Sequence, residues 1–206
     1  DAADVVFDGQ YVRLSDERAA REQNRYLTLR DFANLCVKNI AGGDALTSHA
    51  SACLPVSPPP FMAGIAEVEV DKATGKVTVV DYAAAVDCGT VINEALARVQ
   101  AEGGIAQGIG HALYESVEHD DRGRLRTGNF MSYKLPTRLD IGSIRVAFEP
   151  SYEPTGPFGA KSIGEVVINT PLAAVASAVA HATGHQVRSL PITPEKALTA
   201  LNRNLI

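Results

Sequence analysis

Residues 156–165 read Gly156-Pro157-Phe158-Gly159-Ala160-Lys161-Ser162-Ile163-Gly164-Glu165, and Val166-Val167-Ile168-Asn169-Thr170-Pro171 follow directly. Glycines and a proline precede a single carboxylate. Behind it, residues 172–182 form an apolar, alanine-rich segment that predicts a buried helix, ended by Thr183-Gly184. Glycine lets backbone N–H groups approach a ligand closely. The first turn of a helix leaves further N–H groups unpaired and presents the positive end of its dipole. Glu165 therefore stands where loop becomes helix, near donors suited to an anion. A glutamate favoured there by the dipole alone is the other reading of the same pattern.

Working outward, residues 61–70 and 76–86 are β-rich and joined by the turn Asp71-Lys72-Ala73-Thr74-Gly75. Val68, Val70, Val77 and Val79 alternate with polar neighbours, as in a hairpin with one buried face. The second strand runs into Asp87-Cys88-Gly89-Thr90-Val91-Ile92-Asn93, a glycine turn where backbone can meet a ligand. Residues 100–113 then place Gly104, Gly108 and Ala112 four apart, on one nearly bare helical face. The glycines of this stretch cost a helix about 3–4 kcal/mol against alanine, which close packing or a ligand must offset. It is not a GxGxxG nucleotide loop, because no βαβ unit surrounds it. A hairpin turn at 120–124, strands at 144–148 and 187–190, and a last helix with Thr193 as N-cap and Pro194 at N1 complete this half.

On the N-terminal side, Asp8-Gly9 between Val5-Val6-Phe7 and Tyr11-Val12-Arg13-Leu14 signals a hairpin. Residues 15–25 read as a solvated excursion. Thr28 with Asp31 predicts a capped short helix whose Leu29, Phe32, Ala33 and Cys36 share a face. Residues 41–60, with Ser57-Pro58-Pro59-Pro60, read as a connector carrying an exposed His49.

The chain has 206 residues and a formal net charge of −5 with no basic cluster, which argues against nucleic acid as a partner. No apolar run approaches the roughly 20 residues that span a bilayer, so no membrane partner is expected. Cys36, Cys53 and Cys88 show no CxxC spacing and predict reduced, mostly buried thiols in a cytoplasmic protein. His111 and His119 lie without a carboxylate pattern that would make a metal site.

GPFGAKSIGE, with ATGHQVRSLPITPEKAL at 182–198, resembles the end of the molybdenum-binding subunit of the xanthine dehydrogenase and aldehyde oxidase family. DCGTVIN followed by QAEGGIAQGIG resembles the same family's pattern at the same spacing, and GNFMSYKLPT at 128–137 is similar as well. The resemblance runs over about residues 61–198. It implies an α+β fold, antiparallel hairpins packed with a few helices, as the second half of a molybdenum-binding domain. On that reading, residues 1–60 are an N-terminal hairpin, short helix and connector, and residues 61–206 the molybdopterin-binding domain.

The resemblance also implies roles. Glu165 is the catalytic base beside the metal. Gly89, Thr90, Val91, Asn93 and Gln100 hold molybdopterin, in its cytosine dinucleotide form, and Lys161, Ser162, Ile163 and Gly164 turn donors toward the metal ligands. Molybdenum is held through the pterin dithiolene, so no protein ligand to the metal is needed. The implied reaction is hydroxylation, with water as oxygen source, of an N-heterocycle (purine-, xanthine- or nicotinate-like) or an aldehyde. An apolar wall such as Phe158 is expected to raise the Glu165 pKa by burial.

Three positions depart from the family pattern. Ser162 stands for a common glycine, and Val166 and Glu94 for common prolines; the serine and valine are closer to bacterial purine or nicotinate hydroxylases. Iron–sulfur cysteine spacings and flavin motifs are absent, which implies a 2Fe–2S subunit, an FAD subunit and the other half of the molybdenum subunit as partners. A non-catalytic assembly module of such a complex is the competing expectation.

Overall fold

A computed structural model describes residues 4–16, 21, 26–38, 49–51, 53 and 56–202. They fall into two compact units, Asp1–Cys53 and Leu54–Ile206. In the first, β1 (Val5–Phe7), β2 (Tyr11–Leu14) and β3 (Tyr26–Thr28) form an antiparallel sheet in that order, followed by α1 (Leu29–Val37). The predicted hairpin is present: the Asp8 carboxylate accepts from the N–H groups of Gln10 (3.0 Å) and Tyr11 (2.8 Å) across the turn. Thr28 caps α1, its Oγ1 accepting from the Asp31 N–H at 3.1 Å. Most of the excursion at 15–25 and of the connector at 41–60 lies outside the described residues; His49 is exposed.

The second unit is built on β4 (Phe61–Val70), β5 (Val77–Asp87) and β6 (Ser143–Phe148), in that order. β4 and β5 form the predicted hairpin, with the Asp71 carboxylate accepting from the N–H groups of Ala73 and Thr74 in the turn. A bulge opposite Glu67/Val68 leaves Val80 unpaired. That extra residue switches the inward face of β5 from Val77 and Val79 to Tyr82, Ala84 and Val86. The α+β fold is present, but the expectation that no βαβ unit surrounds residues 100–113 needs correcting, because β6 joins β5 in parallel after a crossover through α2 (Glu94–Leu113). Parallel neighbours need such a crossover, and α2 supplies it on the face that becomes the core.

Helix α3 (Val166–Thr183) packs on α2 and β4, and α4 (Pro194–Asn202) packs on α3. The glycine face of α2 is the contact: a Cβ on Gly104 would lie 2.4 Å from Val167 Cγ2, and one on Gly108 would lie 2.8 Å from the Ile168 carbonyl. Core residues are Val79, Tyr82 and Val86 of β5, Ile105 and Ile109 of α2, and Val167, Val175 and Val179 of α3. α3 begins six residues earlier than predicted and carries Pro171 inside it. The proline removes a helix hydrogen bond, and its fully buried ring packs where Gly108 lacks a side chain. α3 has the length and apolarity of a bilayer-crossing helix, but Val167, Pro171, Val175, Val179 and Thr183 form a buried stripe, as in a core helix.

Two further expectations fail. Residues 187–190 form no strand: Val187 is half-buried between exposed neighbours, but no described strand lies alongside to complete a ladder. Of the cysteines only Cys88 is buried, because Cys36 is on a helix with no buried residue and Cys53 lies exposed.

Candidate functional site

The turn after β5 and the loop before α3 meet as a backbone joint. Gly89 bridges Ala160, the Thr90 N–H donates to the Gly159 carbonyl (2.8 Å), and the Lys161 N–H donates to the Cys88 carbonyl (2.7 Å). Gly89 has φ +69°, and a Cβ there would fall 2.3 Å from the Gly159 carbonyl oxygen, so the joint admits only glycine.

One carboxylate secures the joint. Asp87 Oδ1 accepts from the Gly89 N–H (3.0 Å) and the Ser151 hydroxyl (2.5 Å), and Oδ2 accepts from the Lys161 ammonium (2.6 Å). Lys161 and Ser151 beside it, with the Gly89 N–H, hold the Asp87 carboxyl down at about 2. The Lys161 side chain is 8% exposed, and its ammonium lies 5.1 Å from the centre of the Phe61 ring.

Above the joint is an open pocket of about 480 Å³. The turn lends it Cys88, Thr90, Val91 and Asn93; α2 lends Leu96, Ala97 and Gln100; the loop lends Ala160, Lys161, Ile163 and Gly164. Burial pushes the Cys88 thiol pKa up, so it lines the pocket as a neutral thiol. Asn93 is the N-cap of α2, its Oδ1 accepting from the Leu96 N–H at 3.0 Å, which leaves its NH₂ for other partners. Gln100, two turns along the same face, is exposed, and its amide has no partner among the described residues. The N–H groups of Ser162, Ile163 and Gly164 likewise have no partner among the described residues.

The structure thus gathers Thr90, Val91, Asn93, Gln100, Lys161, Ile163 and Gly164 around one pocket. Gly89 lies behind it in the joint, and Ser162 lines a neighbouring groove with Val56, Ser57 and Pro157. The Lys161 N–H, expected as a free donor, is already spent on Cys88. Glu165 follows Gly164 as the N-cap of α3; its main-chain carbonyl accepts from Ile168 and Asn169, and its exposed carboxylate has no partner among the described residues. Phe158 is no wall over it. That residue sits at φ 55° in the short 3₁₀ turn Pro157–Gly159, which leaves its ring 84% exposed.

Glu94 and Val166 each occupy the first position of a helix, where a proline costs nothing because that N–H is unpaired anyway. Both departures from the family pattern therefore fall where a helix accepts either residue. Asp87 and Ser151 carried no role in the sequence reading. The Asp-x-Gly spacing at 87–89 is a signal for a carboxylate folding onto its own turn, but nothing local points to Ser151.

Comparison with known proteins agrees with this architecture. The family model of the molybdopterin cofactor-binding domain matches residues 1–142, a span that holds the turn and α2 and stops before the loop. The chain is 39% identical over 145 residues to the probable hypoxanthine oxidase XdhD of Escherichia coli K12, covering 70% of this chain and 15% of that protein. It is 34% identical over 177 residues to the putative xanthine dehydrogenase molybdenum-binding subunit XdhA of the same strain, covering 85% of this chain and 24% of that one. Among solved structures, quinoline 2-oxidoreductase from Pseudomonas putida 86 superposes with a TM-score of 0.71 at 29% identity, over 98% of this chain and 26% of that one. The chain spans a quarter or less of the two curated relatives.

Proposed function

The chain belongs to the molybdopterin cofactor-binding domain family, as a partial molybdenum-binding region of the xanthine dehydrogenase and aldehyde oxidase type, and we propose that it supplies one wall of the cofactor site and the catalytic base of a molybdenum hydroxylase. The observation that carries this reading is the pocket lined jointly by the turn after β5, the first turns of α2 and the loop before α3. Its chemistry suits a pterin. The ring edge offers donors and acceptors side by side, and the unpartnered Gln100 amide matches them with its own C=O and NH₂. Thr90, the Asn93 NH₂ and the N–H groups of Ser162 to Gly164 would hold the remaining polar atoms. A helix N-terminus behind them favours negative charge on the ligand.

When bound, the molybdenum cofactor supplies the two-electron redox centre at which oxygen from water reaches the substrate carbon. Glu165 accepts the proton released in that transfer. Its carboxylate is exposed and has no partner among the described residues, so it is available to a reacting group brought to the pocket rim. We assign residues 61–206 as the cofactor-binding domain. The cofactor would be the cytosine dinucleotide form and the substrate an N-heterocycle or aldehyde. The electrons would leave through 2Fe–2S and FAD carried by partner subunits in a cytoplasmic complex.

The test is the rate of cofactor reduction by substrate in Glu165→Gln, measured in the complex purified with its partners and fully loaded. Glutamine keeps the size and hydrogen bonding but takes no proton. The rate should fall by about 10²–10⁴-fold, the contribution typical of positioned proton transfer, with cofactor content unchanged. Reduction at the wild-type rate refutes the assignment of Glu165 as base.

A further inference from the structure

We propose that Asp87 and Lys161 form a positioning pair that fixes the loop bearing Glu165 against the turn and α2 wall of the pocket. The inference rests on the reading that this pocket holds molybdopterin. Asp87 does not line the pocket, so it acts through other groups. Its two oxygens tie three separate segments together: the turn at Gly89, the chain after β6 at Ser151, and the loop at Lys161.

Lys161 is the segment whose place matters most. It lies between two cavities, lining the pocket on one side and the groove containing Ser162 on the other. It is followed at once by the three unpartnered N–H groups and then by Glu165. The ammonium is held by two groups, the Asp87 carboxylate and the Phe61 ring. An ion pair held partly out of water adds little net stability compared with apolar packing of the same volume. Its contribution is directional: a charge-assisted hydrogen bond of 2.6 Å ties the Lys161 side chain to the turn in the register that the backbone joint sets.

The experiment compares Asp87→Asn, Lys161→Met and the double variant in the complex purified with its partners. Three quantities are read: Tm, molybdenum and pterin retained after gel filtration, and rate of cofactor reduction by substrate. Each single change leaves one half of a part-buried ion pair unmatched and lowers Tm. The double change removes both charges, so Tm recovers toward wild type. If the pair only stabilises the fold, cofactor retention recovers with Tm. If it positions the loop, the double variant still loses cofactor faster, by about tenfold or more. Reduction in its loaded fraction is also slowed by about 10²-fold, the effect of roughly 1 Å of misplacement.

Wild-type retention and reduction in a folded double variant overturn the inference. Should that variant not fold, Asp87→Glu takes its place. It keeps the charge pair but shifts the carboxylate by one methylene, and wild-type retention with normal reduction there overturns the inference equally. A wild-type complex without pterin refutes the cofactor reading itself, an outcome distinct from normal retention in the variants.

Discussion

Two glycines of α2, five residues apart, should answer the same substitution with opposite effects. Gly103 faces open space, with nothing within 4 Å of an added Cβ. At Gly108 the same atom would fall 2.8 Å from the Ile168 carbonyl oxygen, 2.9 Å from Pro171 Cβ and 3.0 Å from Pro171 Cγ. A backbone oxygen and a locked ring cannot turn aside, so α2 must lift from α3. Alanine gains about 0.8–1 kcal/mol over glycine in a helix interior at either position. That gain cancels in the difference between the two variants and leaves the overpacking term, typically about 1–3 kcal/mol. For a chain of this size, each kcal/mol moves Tm by about 2–4 °C. Gly103→Ala should raise the unfolding temperature of the Leu54–Ile206 unit, and Gly108→Ala should melt roughly 2–12 °C below Gly103→Ala. Thermal denaturation followed by circular dichroism measures both. Equal stabilisation by the two substitutions would refute the close α2–α3 packing from which the argument starts.

Other outcomes follow from groups buried or charged in the same unit. The Tyr82 hydroxyl is buried without a hydrogen-bond partner in the described structure, and burial raises its pKa to about 12. Tyr82→Phe should therefore hold or raise stability, by up to about 1–3 kcal/mol, and a clear loss in chemical denaturation would reveal a partner for the hydroxyl. Asp87 has a folded pKa lowered from 3.8 to about 2, so the unfolded chain binds its proton first as pH falls. Its stabilisation is complete above pH 4 and drains away between about 4 and 2. The acid limb of the Asp87→Asn stability curve should be flatter over that window, and an unchanged limb would contradict the bonding of Asp87 described above.

What sequence made legible, and what it did not, divides by range. The bare face at Gly104, Gly108 and Ala112 is a matter of helical spacing, and α3 does lie on it. The Asp71 turn and the Thr28 cap are equally local, and both formed as their residue types direct. The start of α3 before Pro171 is not local: a proline inside a helix is unfavourable, and its ring is accommodated by a glycine more than sixty residues earlier. Residues 187–190 read as a short strand, but a strand exists only beside another, and none of the described strands is there. The candidate site shows the same division. The turn and the loop are each visible as glycine-rich stretches, while their meeting at Gly89 and Ala160 joins residues far apart in the chain and leaves no local signal. Nor does spacing reveal that the Lys161 ammonium is claimed by Asp87, or that Phe158 turns outward instead of covering Glu165.

The bonds that hold the pocket together span long stretches of chain: Ser151 is 64 residues from Asp87, and Lys161 is 74 residues from it. Contacts of that separation must overcome loop-closure entropy before they return any energy, and chains dominated by them fold slowly. The β4–β5 hairpin and α2 can form from near neighbours, but the joint has to wait until β6 has docked beside β5 and brought residues 149–165 back to the turn. The pocket is therefore among the last features of this unit to mature. During synthesis the turn and Gln100 would emerge well before the loop that faces them, and a ligand arriving in that interval would find half of its contacts still absent.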